Sequence, residues 1–343
     1  MKTWFKVLGS IALVSVVMLS GCNGGSTSGS FLEEHPSSRM STHRFPTSSC
    51  LTAACIYVAQ ANYSKSKLSI FTASATGNVP PVETISGRRT QLSLLRGGVA
   101  VGADHKVFAS DLGSITVYAA GIYGNAKPVQ TISGGNTGLD SARKLTVDAD
   151  DNIYVANSDN GGSNPSITVY ATGANGNATP TQTITGSNTG LNNTYDVAVD
   201  SSGHIYAVNP GNSSVTVFAS GATGNASPIQ NISGSYTGMS EPLGIAIDAS
   251  RNIYVCNGGS ITVYAAGATG NVAPMRTIFG TKTKIANPWG IALDSSGKLY
   301  VAINGGQLLV FAAGANGNVK PIQTIKGSYT KLGSLPLFAI AVQ

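Results

Sequence analysis

Short apolar runs with alternating polar positions recur along almost the whole chain, and each run has the length of one β-strand. The clearest stretch is residues 260–280, in which two such runs are joined by a Gly/Asn loop and a proline. A step of about 40–50 residues that carries four strand-like runs is typical of one blade of a β-propeller. The runs equivalent to the first of these two begin at Leu68, Ile115, Ile167, Val215, Ile261 and Leu308. Their starts are 47, 52, 48, 46 and 47 residues apart.

One full repeat shows how these runs divide into strands. Residues 244–248 and 253–256 are separated by a tight turn, and residues 261–264 and 275–278 follow them. Successive runs joined by turns pair with each other in an antiparallel arrangement. Each repeat therefore predicts a four-stranded antiparallel sheet.

A proline stands at the start of the fourth run in every repeat. Because proline cannot donate a hydrogen bond to a neighbouring strand, it is confined to the beginning of a strand at a sheet edge. We therefore expect the fourth strand to be the outer edge of its blade, where the proline opposes pairing with another molecule. The six prolines are Pro81, Pro128, Pro180, Pro228, Pro274 and Pro321.

Aromatic residues occupy fixed places in the second and third runs of the repeats. They could form a sugar-binding platform, or they could fill the seams between adjacent blades. Recurrence in every repeat favours the second interpretation, because each buried ring removes a large apolar area from water. The residues are Tyr57, Phe108, Tyr154, Tyr206, Tyr254 and Tyr300 in the second runs, and Phe71, Tyr118, Tyr170, Phe218, Tyr264 and Phe311 in the third.

The two ends of the repeat array carry complementary halves of one blade. Residues 55–59 resemble a second strand with no first strand before it, and residues 339–343 resemble a first strand with no second strand after it. Pairing of these halves would close the ring and remove two open sheet edges. The sequence therefore predicts an all-β fold: a six-bladed β-propeller of four-stranded antiparallel blades, closed by pairing of the C-terminal strand with the N-terminal blade.

The first 22 residues have the pattern of a secretion signal. Lys2 and Lys6 precede an apolar run of 13 residues, which is shorter than the roughly 20 residues that span a bilayer. Residues 19–22, Leu-Ser-Gly-Cys, then resemble the lipobox of bacterial lipoproteins. This resemblance implies cleavage before Cys22 and acylation of its thiol, which would anchor the protein to a membrane.

Three segments follow from this pattern. We expect a signal peptide in residues 1–21, a flexible Gly/Ser-rich tether in residues 22–50 and the propeller in residues 51–343. Asn23 stands where an inner-membrane retention signal has aspartate. We therefore expect a lipid-anchored protein of the bacterial cell envelope, at the outer membrane or cell surface, facing the periplasm or the exterior.

Charge and cysteine content restrict the partners. Only 10% of residues are charged and the net charge is +6, with no long basic run, so we expect no nucleic-acid binding. Cys50 and Cys55 could form a local disulfide in an oxidising compartment, or remain free, and Cys256 fits a buried apolar position. No Cys/His spacing predicts a metal site, and we expect no cofactor and a monomer.

The repeat also resembles a known family. Residues 242–257 and 288–302 fit the pattern P-x-G-I-A-x-D-x-x-x-x-I-Y-V-x-N in most positions. This pattern is similar to that of NHL-repeat and SMP-30-like six-bladed propellers, and of NHL-like bacterial lipoproteins that carry S-I-T-V-Y-A-x-G-A-x-G-N. The resemblance implies the fold, but such propellers include lyases, lactonases, sensor domains and scaffolds, so it does not identify an activity.

Polar and aromatic residues vary between repeats where first strands begin and second strands end. These loops lie on one face of a propeller, around the central channel, and loops that vary on a repeated scaffold often carry function. These residues could be ordinary solvated loop positions, or they could line a polar funnel that binds an envelope protein, a glycan or a small ligand. The candidate contacts are Arg143, Lys144, Asn157, Tyr195, Asp196, Asn209, Glu241, Asn257 and Trp289.

Two functions remain open on this sequence. The first is a non-catalytic binding or scaffolding module of the envelope, which fits the absence of a catalytic motif. The alternative is a metal-dependent, lactonase-like hydrolase or lyase, for which Asp196, Asn209 and Glu241 are the candidate residues. The sequence does not identify a ligand or partner, and it favours the non-enzymatic function.

Overall fold

The computed structural model describes residues 49–62, 65–93, 95, 97–158, 164–333 and 335–343. Within these residues, 24 strands form six four-stranded antiparallel sheets. The first sheet contains β1 (Cys55–Asn62), β2 (Lys65–Thr72), β3 (Glu83–Ile85) and, from the end of the chain, β24 (Leu337–Val342).

The other five sheets are each built from four consecutive strands. The second blade contains β4 (Val99–Val101), β5 (Val107–Asp111), β6 (Ser114–Tyr118) and β7 (Gln130–Ser133), and the third contains β8 (Ala142–Val147), β9 (Ile153–Asn157), β10 (Ser166–Tyr170) and β11 (Gln182–Thr185). The fourth blade contains β12 (Asp196–Val199), β13 (Ile205–Asn209), β14 (Ser214–Phe218) and β15 (Gln230–Ile232), and the fifth contains β16 (Gly244–Ile247), β17 (Ile253–Cys256), β18 (Ser260–Tyr264) and β19 (Arg276–Phe279). The sixth blade contains β20 (Pro288–Leu293), β21 (Leu299–Ile303), β22 (Gln307–Phe311) and β23 (Gln323–Lys326). Single 3-10 turns occupy Ser49–Leu51, Arg88–Thr90, Pro210–Asn212, Ser235–Thr237, Thr281–Thr283 and Ser328–Thr330.

The ring closes as the sequence predicts. The last strand, β24, pairs with β1 in an antiparallel register that places Ile340 opposite Val58 and Ala339 opposite Ala59. The first strand of every sheet also lies beside the first strands of both neighbouring sheets, so the six sheets surround one axis. The all-β, six-bladed propeller and its closure by the C-terminal strand are confirmed.

The hydrophobic core lies between blades. One cluster combines Phe108 and Val117 of the second blade with Leu145 and Tyr170 of the third. All twelve recurrent aromatic residues are buried, with exposed fractions between 0% and 8%. The structure thus confirms that these rings fill the seams, where they cannot serve as an exposed sugar platform.

The prolines lie two residues before the fourth strands and not inside them, which corrects the predicted strand bounds. In each blade the residue after the proline donates its N–H to the third strand; Val129, for example, donates to Val117 at 2.8 Å. Because a proline nitrogen carries no hydrogen, the ladder can begin only one residue later. The fourth strand is nevertheless the outer edge of its sheet, as predicted.

Each fourth strand is also covered by a loop of the next blade. Gly124, for example, forms a parallel bridge to Ile85 of the preceding blade. The neighbouring Asn125 accepts a hydrogen bond from the N–H of Arg89 at 2.8 Å, and a Cβ at Gly87 would overlap its side chain. The recurrent Gly-Asn pair is therefore a clamp between blades. The six clamp asparagines are Asn78, Asn125, Asn177, Asn225, Asn271 and Asn318.

The N-terminal predictions fall mostly outside the described residues. The predicted signal peptide, Cys22 and the tether up to residue 48 all lie there. No helix in the described part of the chain is both long and apolar enough to cross a bilayer. Cys50 and Cys55 form a disulfide just before and at the start of β1, and Cys256 is buried.

Candidate functional site

A buried lysine lies at the middle of the face on which the chain enters the first strand of each blade. Lys144 is only 2% exposed, although the sequence analysis predicts it as a ligand contact. Its Nζ lies 3.0 Å from Oδ2 of Asp196 and also donates to the carbonyl oxygens of Leu243 and Trp289. One ammonium group of the third blade thus joins the entrances of the fourth, fifth and sixth blades.

The partner carboxylate is equally committed to the fold. Asp196 is 6% exposed, and its oxygens accept hydrogen bonds from the N–H groups of Val197 and Ile245. Burial raises the pKa of Asp196 above its ordinary value, while Lys144 opposes that rise. A buried ion pair with further hydrogen bonds on both partners costs much to disrupt, because removal of one charge leaves the other without compensation.

The central channel is a cavity that reaches this ion pair, and most of its lining residues are aliphatic. Its volume is about 220 Å³, and all six first strands line it. Val99 at the Lys144 end is buried, whereas Val101, Val147 and Val199 near the opposite end are partly exposed. The expected polar funnel is therefore closed at its centre, and the channel is more accessible from the side of the turns between first and second strands.

The three candidate asparagines at second-strand ends hold their own blades together. Asn157, Asn209 and Asn257 are 0–2% exposed. Each Oδ1 accepts an N–H from the chain that enters the same blade, and each Nδ2 donates to a threonine hydroxyl of the third strand, as from Asn209 to Thr216 at 3.2 Å. Their amide groups are thus engaged inside the protein.

Four of the nine candidates retain exposed surface on this face. Glu241 is exposed, and Arg143, Tyr195 and Trp289 are half-buried. The Arg143 guanidinium lies 5.3 Å from the centre of the Tyr195 ring, and its Nε donates to Ser158. Trp289 packs against Phe338, with ring centres 5.0 Å apart. Rigid aromatic and guanidinium groups of this kind often anchor ligands or partners.

The residues proposed for a metal-dependent hydrolase differ in their exposure and in their partners. No group of three His, Cys, Asp or Glu side chains that could hold a metal ion occurs there. Of the three candidates for that function, Asp196 pairs with Lys144 and Asn209 is fully buried. Glu241 alone is exposed.

The recurrent aspartates after first strands are turn residues on the opposite face. Asp248 accepts the N–H groups of Ser250 and Asn252, and also the hydroxyl of Tyr254. In the second blade, where Gly102 replaces the aspartate, the aromatic residue is Phe108, which has no hydroxyl to donate. The same bond between the aspartate and the tyrosine occurs in the third to sixth blades and gives these aspartates a structural role.

The sequence could not reveal the groups that complete the central site. Lys144 donates hydrogen bonds to the carbonyl oxygens of Leu243 and Trp289. Because every residue has a carbonyl oxygen, the sequence does not distinguish these two. Sequence reasoning also missed Lys67, Lys326 and Lys331, which line a cleft between the sixth blade and the blade that closes the ring. Their signal was available, since each stands at a repeat position that is mostly neutral elsewhere in the chain.

The fold has a counterpart of known structure. No family model matches the sequence, and no curated protein matches it. The chain is similar to a crystal structure, at 1.35 Å resolution, of a protein of unknown function from Bacteroides caccae, with a TM-score of 0.60 and 11% identity. The match covers 85% of this chain and 99% of the other. At this identity the likeness shows the fold alone.

Proposed function

We propose that this protein is a lipid-anchored, non-catalytic binding or scaffolding module of the bacterial cell envelope, and that it acts as a monomer. The proposal is supported by two kinds of polar group on the loop-bearing face, the face where first strands begin and second strands end. Some of these groups are buried and bonded, and others are accessible. Buried groups such as Lys144 and Asn209 are bonded inside the fold. Arg143, Tyr195 and Trp289 remain accessible on that rigid support, which suits binding without reorganisation.

We also propose that the chain belongs to the NHL-repeat or SMP-30-like propellers. The support is the repeat pattern in residues 242–257 together with the six-bladed fold. The activities of that family do not transfer with the fold.

The anchor is tested by removal of the proposed acylation site. The full-length protein should enter the detergent-rich phase of a Triton X-114 separation when it is expressed in a bacterium that processes lipoproteins. A Cys22→Ser variant should stay uncleaved and carry no acyl mass, as mass spectrometry of the N-terminal peptide would report. An acylated Cys22→Ser protein would refute the anchor proposal.

The binding face is tested by paired capture experiments on solubilised envelope membranes. Arg143→Ala and Trp289→Ala should each reduce recovery of the partner or glycan that the wild type retains, because both remove exposed contact area. Lys298→Ala, an exposed residue in a turn on the opposite face, should leave recovery unchanged. Equal recovery by all three variants would exclude this face as the binding surface.

A further inference from the structure

A separate cleft lies on the loop-bearing face at the edge of the fifth blade. Its volume is about 540 Å³, which is within the range of about 300–1,000 Å³ that small-ligand sites occupy. Its walls are the chain that enters the blade, the loop between β17 and β18, and the end of β19. None of these described lining residues carries a charge.

Phe279 lines this cleft with an exposed aromatic ring. It is the last residue of β19, and it is 55% exposed, whereas the twelve recurrent aromatic residues are buried. Its backbone is fixed, because its N–H donates to the carbonyl of Gly317 at 3.2 Å. The fold does not require an aromatic residue here, since the equivalent positions are Ser86, Ser133, Thr185, Ser233 and Lys326.

Three hydroxyl groups lie beside this ring, those of Ser240, Ser260 and Thr277. Ser260 is directly opposite Phe279 in the pairing of β18 with β19, and opposed residues project from the same face of a sheet. Thr277, two residues before Phe279, shares that face. Within the described part of the chain, none of the three hydroxyls has a hydrogen-bond partner.

Equivalent hydroxyls in other blades are bonded. The serine that begins β10, Ser166, accepts a hydrogen bond from an asparagine of its own blade at 3.3 Å. Thr131, which is equivalent to Thr277, donates to the side chain of Gln91 at 3.0 Å. Before the fifth blade Gly238 has the place of that glutamine, and it has no side chain to donate or accept. The hydroxyl of Thr277 is thus left for a ligand.

Backbone bonds hold the walls of the cleft in place. Asn257 Oδ1 accepts the N–H of Ser240 at 3.3 Å, and the N–H of Gly258 donates to the carbonyl of Ser240 at 3.1 Å. The carbonyl of Gly258 in turn accepts the N–H of Asn287 at 3.0 Å. Gly259 has no atom within 4 Å of the place where a Cβ would lie, so the loop leaves the cleft open. Such a site needs little ordering on binding.

From this combination we propose that the cleft binds a neutral sugar ring of a glycan. The C–H groups on one face of a pyranose pack against an aromatic ring, and its hydroxyls donate to and accept from serine and threonine hydroxyls. Glu241 Oε2 lies 3.9 Å from the place of a Cβ at Gly258, so a negatively charged sugar would be repelled. Arg143 and Tyr195 do not line this cleft, so the proposal does not rest on the binding surface proposed above.

The test is saturation-transfer NMR of the full-length protein with maltotriose, cellotriose and triacetylchitotriose. The wild type should transfer saturation to ring C–H protons of at least one trisaccharide. Phe279→Ser should weaken binding of that trisaccharide about tenfold, because the apolar contact is lost. Thr277→Val should weaken it about fivefold through loss of one hydrogen bond. Circular dichroism melting of each variant verifies that the fold is intact.

Tyr329→Asn is the matched control. It removes an aromatic ring that is 68% exposed and does not line the cleft, and the equivalent position in another repeat is Asn136. Its affinity should equal that of the wild type, and trigalacturonic acid should bind more weakly than the neutral trisaccharide. Absence of transfer to all three trisaccharides would overturn the proposal. Equal affinities of the wild type and Phe279→Ser, or tighter binding of trigalacturonic acid, would do so as well.

Discussion

The centre of the loop-bearing face and the closing seam use lysine in opposite ways. At the centre, Lys144 is buried and faces a carboxylate and two carbonyl oxygens. At the closing seam, Lys67, Lys326 and Lys331 are wholly or partly exposed around a cleft that no described carboxylate lines. The same side chain type thus appears once as a buried tie between blades and once at the wall of an open cleft.

This difference in burial decides how much each charge contributes to stability. A buried charge is tolerated only when partners replace the water it has lost, so its partners identify what it holds together. Charged side chains near the surface are screened by solvent and contribute little to stability. We therefore expect that changes at the centre alter stability strongly, and that changes at the seam alter it little.

The largest effect is expected from Asp196→Asn. The substitution leaves the Lys144 ammonium buried without a counter-charge, and we expect a loss of about 3–5 kcal/mol in the free energy of unfolding, measured in urea. Asp104→Asn is the control, because it removes a surface ion pair with Lys106 and should cost at most about 1 kcal/mol. Equal losses in the two variants would show that the central pair is not a tie between blades.

Tyr264→Phe should have an intermediate effect. The Tyr264 hydroxyl donates to the carbonyl of Thr237 at 2.6 Å inside the protein. Its removal should cost about 1 kcal/mol, because the carbonyl loses its partner, and thermal melting would measure this loss. Phe218, which fills the same place in the fourth blade, shows that the ring alone fits. A loss above about 3 kcal/mol would mean that the seam depends on more than this bond.

Asn225→Ala should lower the free energy of unfolding slightly less than Tyr264→Phe, because the clamp is exposed. Asn225 accepts the N–H of Asn188 from the preceding blade at 2.7 Å, and we expect a loss of about 0.5–1 kcal/mol. Asn188→Ala is the matched control, because it keeps the backbone N–H that makes the bond. Native-state hydrogen exchange should show faster exchange at residue 188 in the first variant only. Unchanged exchange there would contradict the clamp.

Turn aspartates should contribute a small dependence on pH. Burial alone would raise the pKa of Asp294, but hydrogen bonds from Ser296, Lys298 and Tyr300 outweigh it and lower that pKa. A carboxylate with a lowered folded-state pKa stabilises the fold above its unfolded pKa of about 4, and this contribution is lost as the pH falls through the folded value. The free energy of unfolding measured in urea should therefore decline less steeply between pH 5 and 2 for Asp294→Asn than for the wild type. Identical slopes would contradict this account.

The smallest change in stability is expected at the closing seam. Lys326→Ser should leave the free energy of unfolding within about 0.5 kcal/mol of the wild type. Any shift should be small, because solvent screens the charge of an exposed side chain. Denaturant titration at low and high salt would measure it. A marked loss would place Lys326 in the framework and remove the contrast with Lys144.

The sequence by itself determined the architecture. Six near-copies of one strand pattern, with an unpaired half at each end, permit few ways to bury every apolar face, and the ring follows from that demand. The aromatic positions were predictable for the same reason, since Tyr118 and its equivalents recur at one place in every repeat. Repetition reveals what all blades share.

Tertiary structure decided what individual polar residues do. Arg143 and Lys144 are adjacent in sequence, yet the irregular strand pairing between Ala142 and Leu145 buries Lys144 and leaves Arg143 partly exposed. The partners of Lys144 lie between 52 and 145 residues away, and Lys67 meets Lys331 across 264 residues. Only the folded ring brings such positions together, because residues so far apart along the chain become neighbours only when the blades pack.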